Sequence, residues 1–183
     1  MPRATRPPKK THTRLYVSLI VLLAVAFALI WAARSIQTAL VPSMSMQPTL
    51  QTGDFLLVRK DAYTKGRTPQ RGDIVLFKRN GVSNYFVKRV VGLPGESIIV
   101  DSGYVRINDQ WLQEPYLGGE TIREWPGYLH LGNDEYFLMG DNRANSEDSR
   151  DTGAVNMVHI TGKVVAIIAP RHRRTRILNP FAE

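Results

Sequence analysis

The sequence predicts a mainly β domain behind a single N-terminal apolar helix, and three observations carry this prediction. Residues 15–33 form an apolar run of about 19 residues without a charged side chain. From Gly53 onward, short apolar runs alternate with turn residues, which is typical of antiparallel strands. No pattern of a long amphipathic helix follows the apolar run, so we expect strands to form most of the second part.

The apolar run has the length of a membrane span. At 1.5 Å per residue it extends roughly 28 Å, close to the ~30 Å hydrocarbon core of a bilayer. The apolar region of a cleavable signal peptide is only about 7 to 15 residues long, and a buried helix of a soluble protein would carry a polar stripe. The sequence therefore favours an uncleaved anchor over residues 15–34, after a basic tail over residues 1–14.

The basic residues around this run predict its orientation. Arg14 and four further basic residues precede the run, whereas Arg34 alone directly follows it. By the positive-inside rule the N-terminus is then cytoplasmic, and residues 35–183 form an extracytoplasmic domain attached to the cell membrane. Because residue 45 lies about a dozen positions beyond the span, an extended chain can carry it at most roughly 40 Å away. The residues nearest the span, 39–41 with Met44 and Met46, are candidates for contact with membrane lipid, or alternatively for core packing.

Charge and cysteine content exclude several classes of function. The formal net charge of +8 resides in the N-terminal tail and in a C-terminal run that holds Arg171, Arg173, Arg174 and Arg176. The region between them is close to neutral and offers no basic face, so we do not expect nucleic-acid binding. The chain has no cysteine, which rules out disulfides, thiol nucleophiles and cysteine-based zinc sites.

Seven segments carry a strand pattern. Alternating or continuous apolar residues with flanking turns predict strands at 55–58, 73–77, 85–91, 97–100, 104–107, 135–139 and 162–168. Asn80-Gly81 is a strong hairpin signal between the second and third of these. Residues 113–134 are rich in Gly, Pro and charge and predict no element.

The first candidate for chemistry is the segment over residues 41–50. Pro42 and Pro48 bracket it and disfavour a helix, and its residues do not alternate as in a strand. It places Ser43 and Ser45 two positions apart in an irregular segment, where catalytic groups often lie on a rigid scaffold. A serine loop is by itself usually only a loop, so its meaning depends on whether a base lies within reach.

Histidine and lysine both qualify as that base. His130 and His159 lie in the expected folded domain and remain possible. Lys88 lies in a strand whose apolar neighbours predict burial, and alternation requires Lys88 and Arg89 to point to opposite faces, so that one of them faces inward. A lysine that acts as a base near neutral pH needs its pKa lowered by roughly 3 units, which desolvation or a nearby cation provides.

The segment over residues 140–150 is a polar loop with two aspartates and two arginines, Asp141, Arg143, Asp148 and Arg150. Interleaved charges of opposite sign favour ion pairs that rigidify a loop. A carboxylate pair for acid–base chemistry or for a metal ion is the weaker interpretation, because the arginines would neutralise it.

Together these three segments, behind an N-terminal membrane segment, resemble the bacterial type I signal peptidases. The resemblance lies in Ser-x-Ser-Met-x-Pro-Thr at residues 43–49, in Lys-Arg-x-x-Gly-x-Pro-Gly at residues 88–95 and in the Gly-Asp-Asn-Arg loop that starts at residue 140. Residues 71–75 also look like a strand of this family. It covers most of the chain between residues 41 and 168, and the motifs are highly specific in combination.

The resemblance implies a serine endopeptidase with an antiparallel β-sheet catalytic domain. In it, Ser45 is the nucleophile and Lys88 the general base, while the hydroxyl of Ser43 and the backbone N–H of Ser45 form the oxyanion hole. Ser146 is expected to hydrogen-bond and orient the lysine amine, Asp148 and Arg150 to support the site, and Leu138 and Met139 to help bury the amine. The resemblance implies no metal ion and no organic cofactor.

Three positions depart from the usual family pattern. Met44 stands between the serines where many relatives carry glycine, Ala144 replaces a more usual polar residue, and Thr152 precedes Gly153 where relatives often carry an aromatic residue. These differences concern the packing of the loops and leave the implied chemistry unchanged.

As partners the resemblance implies preproteins with small residues, mainly alanine, at the −3 and −1 positions, together with membrane lipid and the secretory translocation machinery. A specialised relative that processes pilin or conjugation substrates, and that could join ends instead of hydrolysing, is the alternative function. A non-catalytic anchored β module would leave the Ser45 and Lys88 pattern unexplained, and a soluble Ser/Lys self-cleaving repressor is disfavoured by the anchor.

Overall fold

The computed structural model describes residues 11–64, 66–79, 81–118 and 123–182. The chain divides into two compact units, one ending at Ser35 and the other beginning at Ile36. The first unit contains helix α1 (Thr11–Ser35), which includes the apolar run. Over Thr13–Ser35 this helix is long and apolar enough to cross a membrane. The basic residues predicted for the cytoplasmic tail at positions 3, 6, 9 and 10 lie outside the described residues.

The second unit is built from short strands with tight turns. In chain order its strands are β1 (Ile36–Leu40), β2 (Phe55–Arg59), β3 (Ile74–Lys78), β4 (Tyr85–Gly92), β5 (Ser97–Asp101), β6 (Tyr104–Ile107), β7 (Gln110–Trp111), β8 (Trp125–His130), β9 (Glu135–Met139), β10 (Val155–Asn156), β11 (Ile160–Ala169) and β12 (Thr175–Arg176). One short α-helix, α2 (Ser149–Thr152), and 3-10 turns at Arg143–Asn145, Met157–His159 and Arg171–Arg173 complete the described elements.

The strands form two antiparallel sheets. The larger sheet has the order β1-β2-β11-β3-β4-β9-β10, with β12 paired to β11, and the smaller has the order β7-β6-β5-β8. Strand β4 lies between β3 and β9, so that Arg89 has Ile74 on one side and Met139 on the other. This central position places Lys88 and Arg89 beside the loop that follows β9.

Three groups of buried apolar residues support this arrangement. One of them packs Met46 and Leu50 of the serine segment against Leu56 of β2, Ile74 of β3 and Val164 of β11. The apolar side chains of residues 41–50 therefore fasten this irregular segment to the large sheet. Met46 is fully buried, whereas Met44 is 46% exposed, so of the two methionines only Met44 retains the surface that contact with lipid would need.

The predicted mainly β, antiparallel fold behind one apolar helix is confirmed. All seven predicted strands are present, two of them with the predicted bounds and the others with ends that differ by one or two residues. The two-residue strands β7, β10 and β12 were not predicted, and neither were β1 and β8. Strand β1 follows the apolar helix without a turn signal, and β8 contains Pro126 and Gly127. Asn80 of the predicted Asn-Gly turn lies outside the described residues, but β3 and β4 pair as neighbouring antiparallel strands.

Candidate active site

Ser45 and Lys88 meet beside strand β4 of the large sheet. The Nζ atom of Lys88 lies 2.7 Å from the Oγ atom of Ser45, a hydrogen-bonding distance. The two residues are 43 positions apart in sequence. The serine segment, held down by Met46 and Leu50, brings its hydroxyl against the central strand β4.

Lys88 is a buried amine, with only 4% of its surface exposed. Burial lowers its pKa from an ordinary value of 10.5 to about 8. The negative charge of Asp148 acts in the opposite direction, and the positive charge of Arg150 adds to the lowering. Near pH 8 a substantial fraction of the amine is therefore neutral, and its lone pair can accept the proton of a neighbouring hydroxyl.

Both residues of the Lys88-Arg89 pair are buried, although the sequence required only one of them to face inward. Arg89 is 2% exposed and binds Asp141 through two hydrogen bonds, of 2.8 Å and 2.6 Å. It also donates to the carbonyl of Gly72 at 2.8 Å and stacks 3.9 Å above the ring of Tyr116. Alternation sends the two side chains to opposite faces, but both faces of β4 are covered at this point.

Ser43 lies beside the nucleophile candidate. Its hydroxyl donates to the Oγ atom of Ser45 at 3.3 Å. The carbonyl of Ser45 accepts a hydrogen bond from the backbone N–H of Asn142 at 3.1 Å. Within the described part of the chain, the backbone N–H of Ser45 has no hydrogen-bond partner. A free N–H and a hydroxyl beside the same Oγ atom can both donate to an oxygen bound there.

Asp148 and Arg150 form a buried ion pair beneath the loop that starts at residue 140. Arg150 donates to both carboxylate oxygens of Asp148 at 2.9 Å and to the carbonyl of Arg143 at 2.7 Å. Burial alone would raise the pKa of the Asp148 carboxyl, but Arg150 outweighs it, and the pKa lies below its ordinary value. The same carboxylate accepts the backbone N–H of Gly140 at 3.0 Å and caps helix α2. One ion pair thus ties both ends of the loop together.

The other two charged residues of this loop have partners outside it. Asp141 binds Arg89, and Arg143 forms a buried ion pair with Glu114. The expected pairing within the loop therefore holds for Asp148 and Arg150, whereas Asp141 and Arg143 connect the loop to β4 and to the segment after β7. The sequence predicted no role for Arg89, Glu114 or Thr49, whose hydroxyl donates to Asp141 at 2.6 Å. Their partners are distant in sequence and leave no local pattern.

Ser146 lies close to the site without the expected contact. Its hydroxyl is buried and makes no hydrogen bond to Lys88 or to any other described residue, although it is near enough to Asp148 to help lower the pKa of that carboxyl. Leu138 and Met139 are fully buried in β9, opposite Val90 and Arg89 of β4.

The two histidines lie elsewhere. His130 is exposed on the small sheet, where its Nδ1 atom lies 3.1 Å from the hydroxyl of Ser97. His159 ends the 3-10 turn at Met157–His159, and neither histidine hydrogen-bonds Ser45. No group of three or more His, Asp or Glu side chains that could hold a metal ion occurs among the described residues.

A groove opens beside Ser45 and Lys88. Its volume is about 560 Å³, and it is lined by residues 37–43, 45, 46, 76 and 84–88. Apart from the serines and the lysine, its lining is mainly apolar and includes Met46, Leu76 and Val87. Such a groove can take an extended peptide with small apolar side chains.

Comparison with known proteins gives one consistent family. The family model described as signal peptidase, peptidase S26, matches residues 14–169. Probable signal peptidase I-2 of Synechocystis sp. is 34% identical over 165 residues, which cover 86% of this chain and 73% of that protein. Signal peptidase I of Leptolyngbya laminosa is 38% identical over 141 residues, covering 73% of this chain and 68% of that one. A crystal structure of a signal peptidase I from Enterococcus faecalis V583 aligns with a TM-score of 0.45 and 28% identity over 52% of this chain and 96% of its own.

Proposed function

Because the chain belongs to the signal peptidase family, peptidase S26, we propose that it cleaves signal peptides with Ser45 as nucleophile and Lys88 as general base. Membership makes the chain a peptidase with preproteins as its substrates. The observation that carries the assignment of residues is the 2.7 Å distance between a buried, partly neutral amine and a serine hydroxyl.

The reaction starts with a proton transfer from Ser45 Oγ to Lys88 Nζ. The oxygen attacks the scissile carbonyl carbon, and the carbonyl oxygen takes up the negative charge. When the C–N bond breaks, Lys88 returns its proton to the leaving amine, and the signal peptide remains as an ester on Ser45. Lys88 then takes a proton from a water molecule, which hydrolyses the ester and frees Ser45.

The oxyanion hole consists of Ser43 and the backbone of Ser45. The hydroxyl of Ser43 already points at the nucleophilic oxygen, and the N–H of Ser45 is free to donate. Removal of one such donor typically costs about 10²–10³ in rate. The Asp148–Arg150 pair serves the site by holding the loop against which Lys88 is buried.

The groove beside the pair accommodates the residues before the cleavage point. Its apolar walls favour small side chains at the −3 and −1 positions, in agreement with Ala-x-Ala sites in preproteins. The apolar helix α1 serves as a membrane anchor with a cytoplasmic N-terminus, so that the catalytic domain works on the extracytoplasmic side, where translocated preproteins emerge. Membrane lipid and the secretory translocation machinery are the corresponding partners.

The test is cleavage of a preprotein with an Ala-x-Ala site by the purified full-length chain in detergent, read by mass spectrometry. We expect Ser45→Ala and Lys88→Ala to lower kcat by about 10³-fold or more, because each removes a member of the reacting pair. His130→Ala and His159→Ala are the matched controls and should cleave like the parent. The product mass also separates hydrolysis from the joining of ends.

Cleavage by Lys88→Ala at the parental rate, with one of the histidine variants inactive, would overturn the proposed pair. Circular dichroism of each variant ensures that a lost activity does not reflect a lost fold.

A further inference from the structure

The C-terminal basic run folds back onto the segment that carries Ser45. Arg173 donates to both carboxylate oxygens of Asp54, at 2.8 Å and 3.0 Å, and to the carbonyl of Thr49 at 3.3 Å. Asp54 is 1% exposed, and the two residues of the ion pair are 119 positions apart. One guanidinium thus reaches two points of the chain just after the nucleophile.

Residues 41–54 form a loop that is closed at its base. The N–H of Val41 donates to the carbonyl of Asp54, and the N–H of Gly53 donates to the carbonyl of Val41, both at 2.9 Å. Ser45 lies in the first half of this loop, and Arg173 binds the second half at Thr49 and at Asp54. The position of Ser45 relative to β4 therefore depends on contacts that the C-terminal segment makes.

Thr49 connects Arg173 to β4, the strand that carries the proposed general base Lys88. While its carbonyl accepts from Arg173, its hydroxyl donates to Asp141 at 2.6 Å, and Asp141 binds Arg89, the neighbour of Lys88. A continuous set of charged hydrogen bonds thus runs from Arg173 through the serine loop to β4.

The end of the C-terminal segment has a second attachment, at the turn before β3. The side chain of Asn179 donates to the carbonyl of Arg71 and to the carboxylate of Asp73, both at 2.9 Å. Phe181 lies with its ring centre 6.2 Å from that of Tyr116, the ring on which Arg89 stacks. The segment over residues 170–182, which we call the C-terminal strap, is therefore fixed at both of its ends.

The energetics of Asp54 explain why Arg173 matters. Burial alone would raise the pKa of this carboxyl, but the hydrogen bond from Arg173 and the N–H of Gln51 lower it below its ordinary value. A buried carboxylate without its cation must take up water or a proton, and the loop would have to open to admit them. Arg171, by contrast, is exposed, and within the described part of the chain its side chain makes no hydrogen bond or ion pair with residues 41–54.

We infer that the C-terminal strap holds the nucleophile in register with its base, and that Arg173 is the positioning residue that does so. This inference rests on the proposed roles of Ser45 and Lys88. The inference gives the C-terminal basic run a function in the catalytic domain. One of its arginines, Arg173, binds the loop that carries Ser45, while the neighbouring basic residues are exposed.

The test compares Arg173→Gln with Arg171→Gln in the full-length chain, at a temperature where thermal unfolding shows both to be folded. Glutamine is too short to span Asp54 and the carbonyl of Thr49, so we expect kcat of Arg173→Gln to fall about tenfold or more while KM changes little. Arg171→Gln loses the same charge and should keep the parental kcat. Arg173→Lys retains the charge opposite Asp54 and should recover part of the loss.

Two results would overturn the inference. One is a folded Arg173→Gln with the kcat of Arg171→Gln, and the other is a change confined to KM. If Arg173→Gln does not fold, the double variant Asp54→Asn with Arg173→Gln leaves no buried unpaired charge, and a parental kcat there would equally refute the strap. A different result would refute the proposed function: a Ser45→Ala variant that cleaves as well as the parent.

Discussion

At the scale of single residues, Lys88 shows what can be derived from a sequence and what cannot. Its apolar neighbours on a strand predicted burial, and burial is the main cause of its lowered pKa. The sequence could not reveal that Arg89 is buried as well, because alternation gives the direction of a side chain and not what covers it. The distance from Lys88 to Ser45 follows from tertiary packing and has no local signal.

A buried amine with a lowered pKa costs stability, and this yields a prediction for Lys88→Met. Below pH 8 the amine is protonated in both states, and the folded state bears the cost of a buried charge. We expect the variant to raise the free energy of unfolding at pH 7 by about 2–3 kcal/mol and to lose cleavage activity. The gain should fade as pH rises from about 8 towards the ordinary lysine value, because only the unfolded parent then binds the proton. Urea unfolding of the full-length chain at several pH values measures this.

Lys163→Met is the matched control for this prediction. Lys163 lies 2.5 Å from Asp73, whose side chain is 1% exposed. Removal of this cation leaves a buried carboxylate with less compensation, so the control should lower the free energy of unfolding at pH 7. If Lys88→Met proved as destabilising as Lys163→Met, the amine would be well solvated and the account of its pKa would be wrong.

At the scale of elements, the strands that the sequence predicted are those whose apolar residues form short runs between turns. Strand β8 was not predicted because its residues alternate between half-buried and exposed without an apolar pattern. Strand β1 was not predicted because it continues directly from the apolar helix. The loop after β9 was predicted as a charge-paired segment, and the pairing of Asp148 with Arg150 is local enough to be foreseen. The turn before β3 could not be foreseen in the same way, because its surroundings come from the far end of the chain.

That turn provides a prediction at Gly72. Its φ of +87° disfavours any side chain, and an added Cβ would lie 2.5 Å from Oδ1 of Asn179 and 2.6 Å from a ring carbon of Phe181. We expect Gly72→Ala to lower the free energy of unfolding by about 2–4 kcal/mol, from backbone strain together with displacement of the strap. Gly95 has a φ of +79°, and nothing lies within 4 Å of an added Cβ. Gly95→Ala therefore measures the contribution of backbone strain alone and should lower the free energy of unfolding by about 1 kcal/mol. Equal losses in the two variants would mean that the strap does not rest on Gly72.

At the scale of the whole molecule, the site is assembled from four distant parts of one chain. The serine loop, strand β4, the loop after β9 and the C-terminal strap contribute Ser45, Lys88, Asp148 and Arg173. The Arg89–Asp141 ion pair joins β4 to the loop after β9, and the Arg173–Asp54 ion pair joins the strap to the serine loop. The sequence could identify the first three parts because each carries a dense local motif. It could not assign the strap, because a run of arginines has the same composition whether one of them is buried against a carboxylate or all face solvent.

The central claim is that a neutral amine at position 88 takes the proton of Ser45. Because the chain has no cysteine, Lys88→Cys introduces a single thiol, which 2-bromoethylamine converts into a lysine-like side chain with a less basic amine. We predict that the unmodified variant is inactive and that alkylation restores cleavage. The kcat/KM of the parent should rise as pH passes about 8, and that of the alkylated variant should rise at a lower pH. An unmodified variant as active as the parent, or an alkylated variant with the parental pH profile, would contradict the claim.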